Sequence, residues 1–213
     1  MAGDSRSGKG KAIRFRGACR VSSGGDASYH MTLMTDTDIA LRPARPEDLP
    51  AIEELIALSG RELSRDYYSA RQIDGLVRHV FGADEQLVAD GTYYVCEAEG
   101  RLVAAGGWSR RRTLHGGERG RGHDPLVDPA HDAARIRAFF VHPAWARRGL
   151  ARRLYMECER ASRAAGFRSL VLAATLAGEP LYRSLGFTVT RRHSFRLPDG
   201  VEVGLTDMER SID

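Results

Sequence analysis

Cysteine is scarce in this sequence of 213 residues, which contains Cys19, Cys96 and Cys158. The three are odd in number and far apart, so they form neither a CxxC pair nor a disulfide framework. Because disulfides need an oxidising compartment, we expect reduced thiols in a cytoplasmic protein. A fold held together by disulfides is therefore excluded.

Long apolar runs are also missing. No stretch of about 18 apolar residues occurs, so the sequence predicts no membrane-spanning helix. Residues 1–37 are rich in Gly and Ser, lack hydrophobic periodicity and contain no apolar core of a secretory signal. We predict a disordered N-terminal extension over residues 1–37 and one domain over residues 38–213.

A basic stripe is the third missing feature. The net charge is +4, but six cations against three anions fall within residues 1–37, so the rest of the chain is close to neutral. No run of cations with interleaved aromatic residues occurs. We therefore expect no nucleic acid and no membrane among the partners.

Hydrophobic periodicity and turn residues divide residues 38–210 into strands that alternate with helices. Strands are predicted at 38–44, 91–98, 101–108, 135–142, 169–174, 187–193 and 201–208. Helices are predicted from Pro46, from a capping box at Ser69, and over 147–165 and 179–185. This alternation, with one hairpin, predicts a mixed α/β sheet with helices on its faces.

Two irregular features interrupt this pattern. Gly106 and Gly107 inside the third strand predict a bulge or the close approach of a ligand. Residues 110–132 are polar and aperiodic, which predicts a long loop that acts as a substrate lid or a mobile segment. Its His and Asp residues are His115, His123, Asp124, Asp128, His131 and Asp132. Their spacing fits no tight metal-ligand motif, so no metal site is predicted.

The most informative stretch is residues 138–152, where an apolar run ends at a proline and an Arg- and Gly-rich turn leads into a long helix. The first turn of a helix has unpaired N–H groups and the positive end of the dipole. Gly149 has no Cβ, so a phosphate oxygen can approach the backbone closely. Arg147, Arg148 and Arg152 add charge and bidentate donors. The predicted ligand is a diphosphate.

Residues 146–151 (ARRGLA) match the pattern Gln/Arg-x-x-Gly-x-Gly/Ala, and residues 181–187 (LYRSLGF) match Leu/Phe-Tyr-x-x-x-Gly-Phe. With a predicted strand before each, the two motifs resemble those of the GNAT superfamily of acetyl-CoA-dependent N-acetyltransferases. The resemblance covers about residues 38–210. It implies an α/β (α+β) fold: a mixed, mostly antiparallel central sheet of six to seven strands, helices on both faces, and a splayed strand pair.

The resemblance also implies an acyltransferase that uses acetyl-CoA as co-substrate. The residues implied for its binding are Phe139, Phe140, Val141, Ala146, Arg147, Arg148, Gly149, Leu150, Ala151, Arg152, Thr175 and Tyr182. Two of them would act in catalysis, the Val141 N–H as oxyanion donor and the Tyr182 phenol as the acid that protonates the departing thiolate. The sequence departs from the family pattern at Ala146, where Gln or Arg is usual, and at Thr175, where many relatives have Asn.

The general base is not identified by the sequence. Many relatives have a Glu near the start of the fourth strand, where this chain has Arg135 and Arg137. The remaining candidates are Glu97, Asp128, His131 and Asp132. A water relay to the strand backbone is an equal alternative.

Three functions therefore remain open. The first is direct transfer of an acetyl group, in a ternary complex, to an amine of a small molecule or a protein. The second is a non-catalytic module that senses acyl-CoA, which the missing base keeps open. The third is a polyanion-binding protein that uses the basic N-terminal segment. Relatives often dimerise, so a homodimer is also considered.

Overall fold

The computed structural model describes residues 39–113 and 124–213. Outside these ranges lie the predicted extension over 1–37 and three residues named above, Cys19, His115 and His123. The strands within them are β1 (Ala40–Pro43), β2 (Tyr93–Ala98), β3 (Arg101–Ser109), β4 (Ala134–Val141), β5 (Ser169–Thr175), β6 (Thr188–Arg196) and β7 (Glu202–Ser211). The α-helices are α1 (Leu49–Leu63), α2 (Ala70–His79), α3 (Glu85–Ala89), α4 (Leu150–Ala164) and α5 (Glu179–Ser184).

The strands form one sheet in the order β1-β2-β3-β4-β5-β7-β6. Neighbouring strands are antiparallel, apart from β4 and β5, which are parallel. These two pair only near their beginnings, Ala134 with Leu170 and Arg135 with Val171, although β4 continues to Val141. The mixed sheet and the splayed strand pair are thus confirmed. We call the opening between the ends of β4 and β5 the splay cleft.

The bulge predicted from the two glycines of β3 is present, but the extra residue belongs to β4. Opposite Gly106, β4 contains both Ala138 and Phe139, and Ala138 has a left-handed φ of 55°. A Cβ on Gly106 would lie 2.7 Å from a ring carbon of Phe139. Gly106 therefore makes room for the Phe139 ring, and the alternative of a ligand at this glycine is not supported.

Helices cover both faces of the sheet, as predicted. On one face α4 and α5 contribute Leu154, Cys158 and Tyr182 to the largest buried cluster. On the other face α1 and α3 contribute Ile52 and Leu87 to a second cluster. The α2 helix packs against the hairpin of β6 and β7 in a third cluster. We call these two sides the α4 face and the α1 face.

Local signals explain where most helices begin. The Ser69 Oγ accepts from the Gln72 N–H at 3.4 Å, and the Gln72 Oε1 accepts from the Ser69 N–H at 2.9 Å, so the predicted capping box is confirmed. The α3 helix was not predicted, because five residues are too few to show a period. Its start is fixed by Asp84, whose Oδ1 accepts from the Leu87 N–H at 3.2 Å.

Two expectations about composition can be compared with the described residues. Within them, no helix has the length and apolar character needed to cross a bilayer. Cys96 and Cys158 carry free thiols and are buried. Burial raises the pKa of Cys96 to about 11, so this thiol stays protonated and unreactive.

Candidate active site

The turn between β4 and α4 has the backbone geometry of an anion-binding turn. A 3-10 turn spans Pro143–Trp145, and the His142 Nδ1 accepts from the Ala144 N–H at 3.2 Å. Arg147 and Gly149 then adopt left-handed conformations, with φ of 65° and 82°. Left-handed residues in a turn direct neighbouring N–H groups to one side, as in backbone anion nests.

The first turn of α4 offers three amides to a ligand. The first helical hydrogen bond runs from the Arg153 N–H to the Gly149 carbonyl at 2.9 Å. The amides of Leu150, Ala151 and Arg152 precede it and donate to no group in the described part of the chain. Gly149 is exposed, and a Cβ placed on it would meet no atom within 4 Å. The turn is therefore open enough to receive a diphosphate.

The three predicted cations around this turn are all exposed. The Arg148 guanidinium lies 4.8 Å from the centre of the Trp145 ring, a cation–π contact that holds it beside the turn. The Arg152 Nη2 donates to the Ser184 carbonyl at the end of α5, at 3.4 Å. Arg147 supplies the left-handed backbone and leaves its side chain in solvent. The positive charge predicted here is present.

The Val141 amide points into the splay cleft. The next amide along the strand, that of His142, donates to the Val103 carbonyl of β3 at 2.8 Å. Because successive N–H groups of a strand point in opposite directions, the Val141 N–H faces away from β3. It donates to the Ser59 Oγ of α1 at 3.2 Å. An acyl oxygen must displace this hydroxyl before it can accept from the Val141 N–H.

Sequence reasoning missed Ser59. It is 4% exposed and lies on the apolar side of α1, next to Leu55 and Ile56. A polar residue in such a position requires a hydrogen-bond partner. The sequence shows a serine among apolar helix residues, which is a signal that it needs a partner. It does not show which partner, because Val141 is 82 residues away in the chain.

Tyr182 lies on the α4 face beside β4. It is 8% exposed, and its ring packs edge-on against Phe139 and Phe187, at centroid distances of 6.3 Å and 5.7 Å. Burial raises the pKa of Tyr182 well above its usual value, so the phenol stays protonated across the physiological range. Phe140 points the other way, with its ring 5.2 Å from that of Phe81 on the α1 face.

Two predicted contact residues have structural partners. The Ala146 N–H donates to the Pro143 carbonyl at 3.2 Å, so this amide is engaged inside the turn. The Thr175 Oγ1 accepts from the Gly178 N–H at 3.1 Å and shapes the turn that enters α5. Binding of a ligand by Ala146 or Thr175 stays a prediction.

The base candidates named from the sequence do not lie at the splay cleft. Glu97 accepts from Arg42 at 3.1 Å on β2, two strands away from β4. Asp128 binds the ring of His131 at 2.9 Å, and Asp132 accepts from the Asp128 N–H at 2.9 Å, so these three candidates lie ahead of the first residue of β4. The eight residues of β4 separate that end from Val141 by about 25 Å.

The arginines at the start of β4 do not act as bases. Arg137 is 9% exposed and pairs with the buried carboxylate of Asp84 at 2.8 Å, which joins β4 to the start of α3. Arg135 is half-buried and donates to the Ala133 carbonyl. In the described ranges no three His, Cys, Asp or Glu side chains are grouped to hold a metal ion.

A buried carboxylate fixes the helix that carries Tyr182. Glu179, the first residue of α5, accepts from Arg192 at 2.6 Å, from Arg183 at 2.8 Å and from the Thr206 hydroxyl at 2.9 Å. Hydrogen bonds from Arg192 and then Arg183 lower the pKa of Glu179 to about 2. A carboxylate of this kind is a weak base, so its role is to hold α5 against β6 and β7.

An open helix start, a splayed parallel strand pair and a buried tyrosine lie together at one edge of the sheet, an arrangement suited to an extended phosphorylated ligand. The chain belongs to the acetyltransferase (GNAT) family, whose model matches residues 57–187, more than half of its length. A comparison with curated protein sequences gives no match.

Solved structures with the same fold include several acetyltransferases. The GCN5-related N-acetyltransferase of Rhodopseudomonas palustris is 21% identical, with a TM-score of 0.61 over 84% of this chain and 98% of its own. PaiA N-acetyltransferase of Thermoplasma acidophilum, solved with coenzyme A, is 15% identical, with a TM-score of 0.55 over 81% and 98%. YncA of Salmonella typhimurium, solved with acetyl-CoA, is 21% identical, with a TM-score of 0.56 over 83% and 95%. At these identities the likeness establishes the fold alone.

Proposed function

We propose that this protein is an N-acetyltransferase that moves an acetyl group from acetyl-CoA to an amine of a small molecule or a protein. One observation carries the proposal: the Val141 N–H that faces the splay cleft and the open amides at the start of α4 lie on one continuous segment of the chain, the end of β4 and the turn that follows it. Membership of the acetyltransferase family supports it, as do the structures of PaiA with coenzyme A and YncA with acetyl-CoA.

Binding of acetyl-CoA uses the backbone more than side chains. The amides of Leu150, Ala151 and Arg152 receive the diphosphate, and the exposed arginines of the turn neutralise its charge. The pantetheine arm lies in the splay cleft, where it replaces the missing strand pairing between β4 and β5. The acetyl oxygen then takes the Val141 N–H from Ser59.

The bound thioester supplies an activated carbonyl. Groups of this chain stabilise the charge that develops on its oxygen and donate a proton to the leaving thiolate. The Val141 N–H stabilises the negative charge that develops on the acetyl oxygen when a neutral amine attacks. The protonated Tyr182 phenol donates its proton to the thiolate sulfur that leaves. Both reactants are bound at once, so the transfer is direct.

A thiol-release assay tests this function. Acetyl-CoA is mixed with the protein and a panel of primary amines: an alkyl diamine, free amino acids and short peptides with a free N-terminus. Amine-dependent release of free thiol, with formation of the acetylated amine, supports the transferase. Tight binding of acetyl-CoA without release for any amine would favour the acyl-CoA sensor instead.

A further inference from the structure

Ser59 lies beside the splay cleft, on the buried stripe of α1. The stripe has the three- and four-residue spacing of one helix face and consists of Ile52, Leu55, Ile56, Ser59 and Gly60. The Ser59 Oγ accepts from the N–H of Val141, the last residue of β4, at 3.2 Å. The stripe therefore places a hydroxyl directly against the amide that the proposed function assigns to the acyl oxygen.

The packing around Ser59 holds α1 close to β4. A Cβ on Gly60 would lie 2.7 Å from a ring carbon of Phe81, so this glycine lets the ring pack against the helix. The Phe81 ring in turn packs edge-on against that of Phe140, with 5.2 Å between the ring centres. Gly60 follows Ser59 in α1, and Phe140 precedes Val141 in β4. These contacts fix the hydroxyl relative to the amide, which is the preorganisation that charge stabilisation requires.

The Ser59 hydroxyl can both accept and donate a hydrogen bond, whereas a backbone N–H only donates. An acyl oxygen that accepts from the Val141 N–H must lie about 3 Å from the Val141 nitrogen. The Ser59 Oγ lies 3.2 Å from the same nitrogen, so the displaced hydroxyl remains next to the acyl oxygen. Rotation about the Cα–Cβ bond of Ser59 then directs its O–H at this oxygen, which has two lone pairs to accept with.

We infer that Ser59 is a second donor to the acyl oxygen, and that it changes from acceptor in the free protein to donor in the complex. The inference rests on the proposed function. In the free protein the Oγ satisfies the Val141 N–H, which would otherwise lack a partner. In the complex the acyl oxygen accepts from both the Val141 N–H and the Ser59 O–H. The change loses one hydrogen bond and forms two, so displacement of the hydroxyl is compensated.

Ser59 keeps its proton throughout the reaction, so its role requires no general base. As the neutral amine forms the C–N bond, the π electron pair of the C=O group moves onto the oxygen, and both donors then face a negative charge. The C=O bond re-forms as the C–S bond breaks, and the thiolate takes the proton of the Tyr182 phenol. The amine nitrogen releases one proton to solvent, and the phenol recovers one from solvent.

Ser109 provides a matched control. It is fully buried at the end of β3, and its Oγ accepts from the Arg111 N–H at 3.1 Å, the same kind of hydrogen bond that Ser59 makes. Ser109 pairs with Arg135 near the beginning of β4, whereas Val141 is at the end of that strand. Ser109→Ala therefore removes an equivalent hydrogen bond away from the acyl site.

The kinetic test compares Ser59→Ala, Ser59→Thr and Ser109→Ala in the amine-dependent thiol-release assay. We expect Ser59→Ala to lower kcat about a hundredfold, the usual effect of losing one oxyanion donor. Ser59→Thr keeps the hydroxyl and should recover most of the lost rate, and Ser109→Ala should match the wild-type kcat. The affinity for CoA, which has no acyl oxygen, should be the same in all four proteins. Both alanine variants should lose similar stability in urea titrations, because each leaves a backbone N–H without its serine partner.

Infrared spectroscopy of acetyl-CoA with an isotopic label at the carbonyl carbon gives a readout independent of turnover. The labelled compound is bound in the absence of an amine, and hydrogen bonds to its acyl oxygen lower the C=O stretching frequency. We expect this frequency to fall on binding to the wild-type protein and to Ser109→Ala. It should fall less on binding to Ser59→Ala, because one of the two donors is then missing.

The two measurements separate the assignment of Ser59 from the proposed function. A carbonyl frequency that is the same in Ser59→Ala and in the wild-type protein would overturn the assignment, since a fall in kcat alone can come from a disturbed helix. An unchanged kcat in Ser59→Ala would overturn it as well. A wild-type protein that transfers to none of the amines would overturn the proposed function, while a carbonyl frequency that depends on Ser59 would still support its contact with the acyl oxygen.

Discussion

In the proposed function, single residues act at this site mainly through their backbone. The amides of Leu150, Ala151 and Arg152 and that of Val141 are the donors offered to the ligand. Gly149 matters because its left-handed φ of 82° sets the entry to α4 and because no side chain covers it. Substitution of such positions should change ligand binding more than it changes the fold.

We predict that Gly149→Ala weakens acetyl-CoA binding about tenfold. A Cβ at this position strains the left-handed backbone by about 1 kcal/mol and projects into the space that the phosphate oxygen needs. Gly100→Ala is the matched control, because Gly100 also has a positive φ, of 70°, and open surroundings but lies in the β2–β3 hairpin. Both variants should lose similar stability in urea titrations. Equal acetyl-CoA affinities in calorimetry would contradict a phosphate seat at Gly149.

We predict that Tyr182→Phe lowers kcat about a hundredfold and leaves acetyl-CoA affinity within twofold. The change removes the proton donor to the thiolate but keeps the ring that packs against Phe139 and Phe187. Tyr94→Phe, also a buried phenol on the α4 face, should keep the wild-type rate. An unchanged turnover in Tyr182→Phe would remove this residue from the mechanism.

At the scale of secondary-structure elements, α5 depends on one anchor. Six residues are too few to hold a helix by their own propensity, so the contacts of Glu179 with β6 and β7 fix its position. The orientation of Tyr182, three residues further along α5, follows from the same contacts. Loss of the anchor should therefore lower both stability and turnover.

We predict that Glu179→Gln lowers the free energy of unfolding by about 2 kcal/mol at pH 7. The folded-state pKa of about 2 is below the usual 4.5, so the carboxylate's contribution is complete above pH 4.5 and is lost as the pH falls from 4.5 to 2. Urea titrations of variant and wild type should thus converge near pH 2. Glu157→Gln, which breaks a surface pair with Arg160, should cost less than about 0.5 kcal/mol. A constant gap between Glu179→Gln and wild type from pH 7 to pH 2 would contradict the anchor.

The elements themselves were the most predictable part of the chain. Local signals such as the Ser69 capping box and the Gly149 turn depend on neighbouring residues, so the sequence shows them directly. Ser59 was missed because its hydrogen-bond partner lies on β4, which only the tertiary fold brings close to α1. The bulge was predicted on the wrong strand for the same reason, since strand pairing decides which side holds the extra residue.

At the scale of the whole domain, the splay cleft opens between the α4 face and the α1 face of the sheet, and each face contributes different side chains. The α4 face carries Tyr182, and the α1 face carries Ser59. In the proposed function, acetyl-CoA and the acceptor amine approach the splay cleft from different sides of the sheet. Direct transfer in a ternary complex is the reaction that this division favours.

The central claim is that acetyl-CoA binds along β4 and the start of α4, and amide-resolved NMR during an acetyl-CoA titration tests it most directly. We predict saturable shifts at the N–H groups of Leu150, Ala151 and Arg152, together with a large shift at Val141 as its hydrogen bond passes from Ser59 to the acetyl oxygen. The claim would be contradicted by unchanged signals at these four amides, with shifts confined to the surface groove beside α4 that Met156 and Arg160 line.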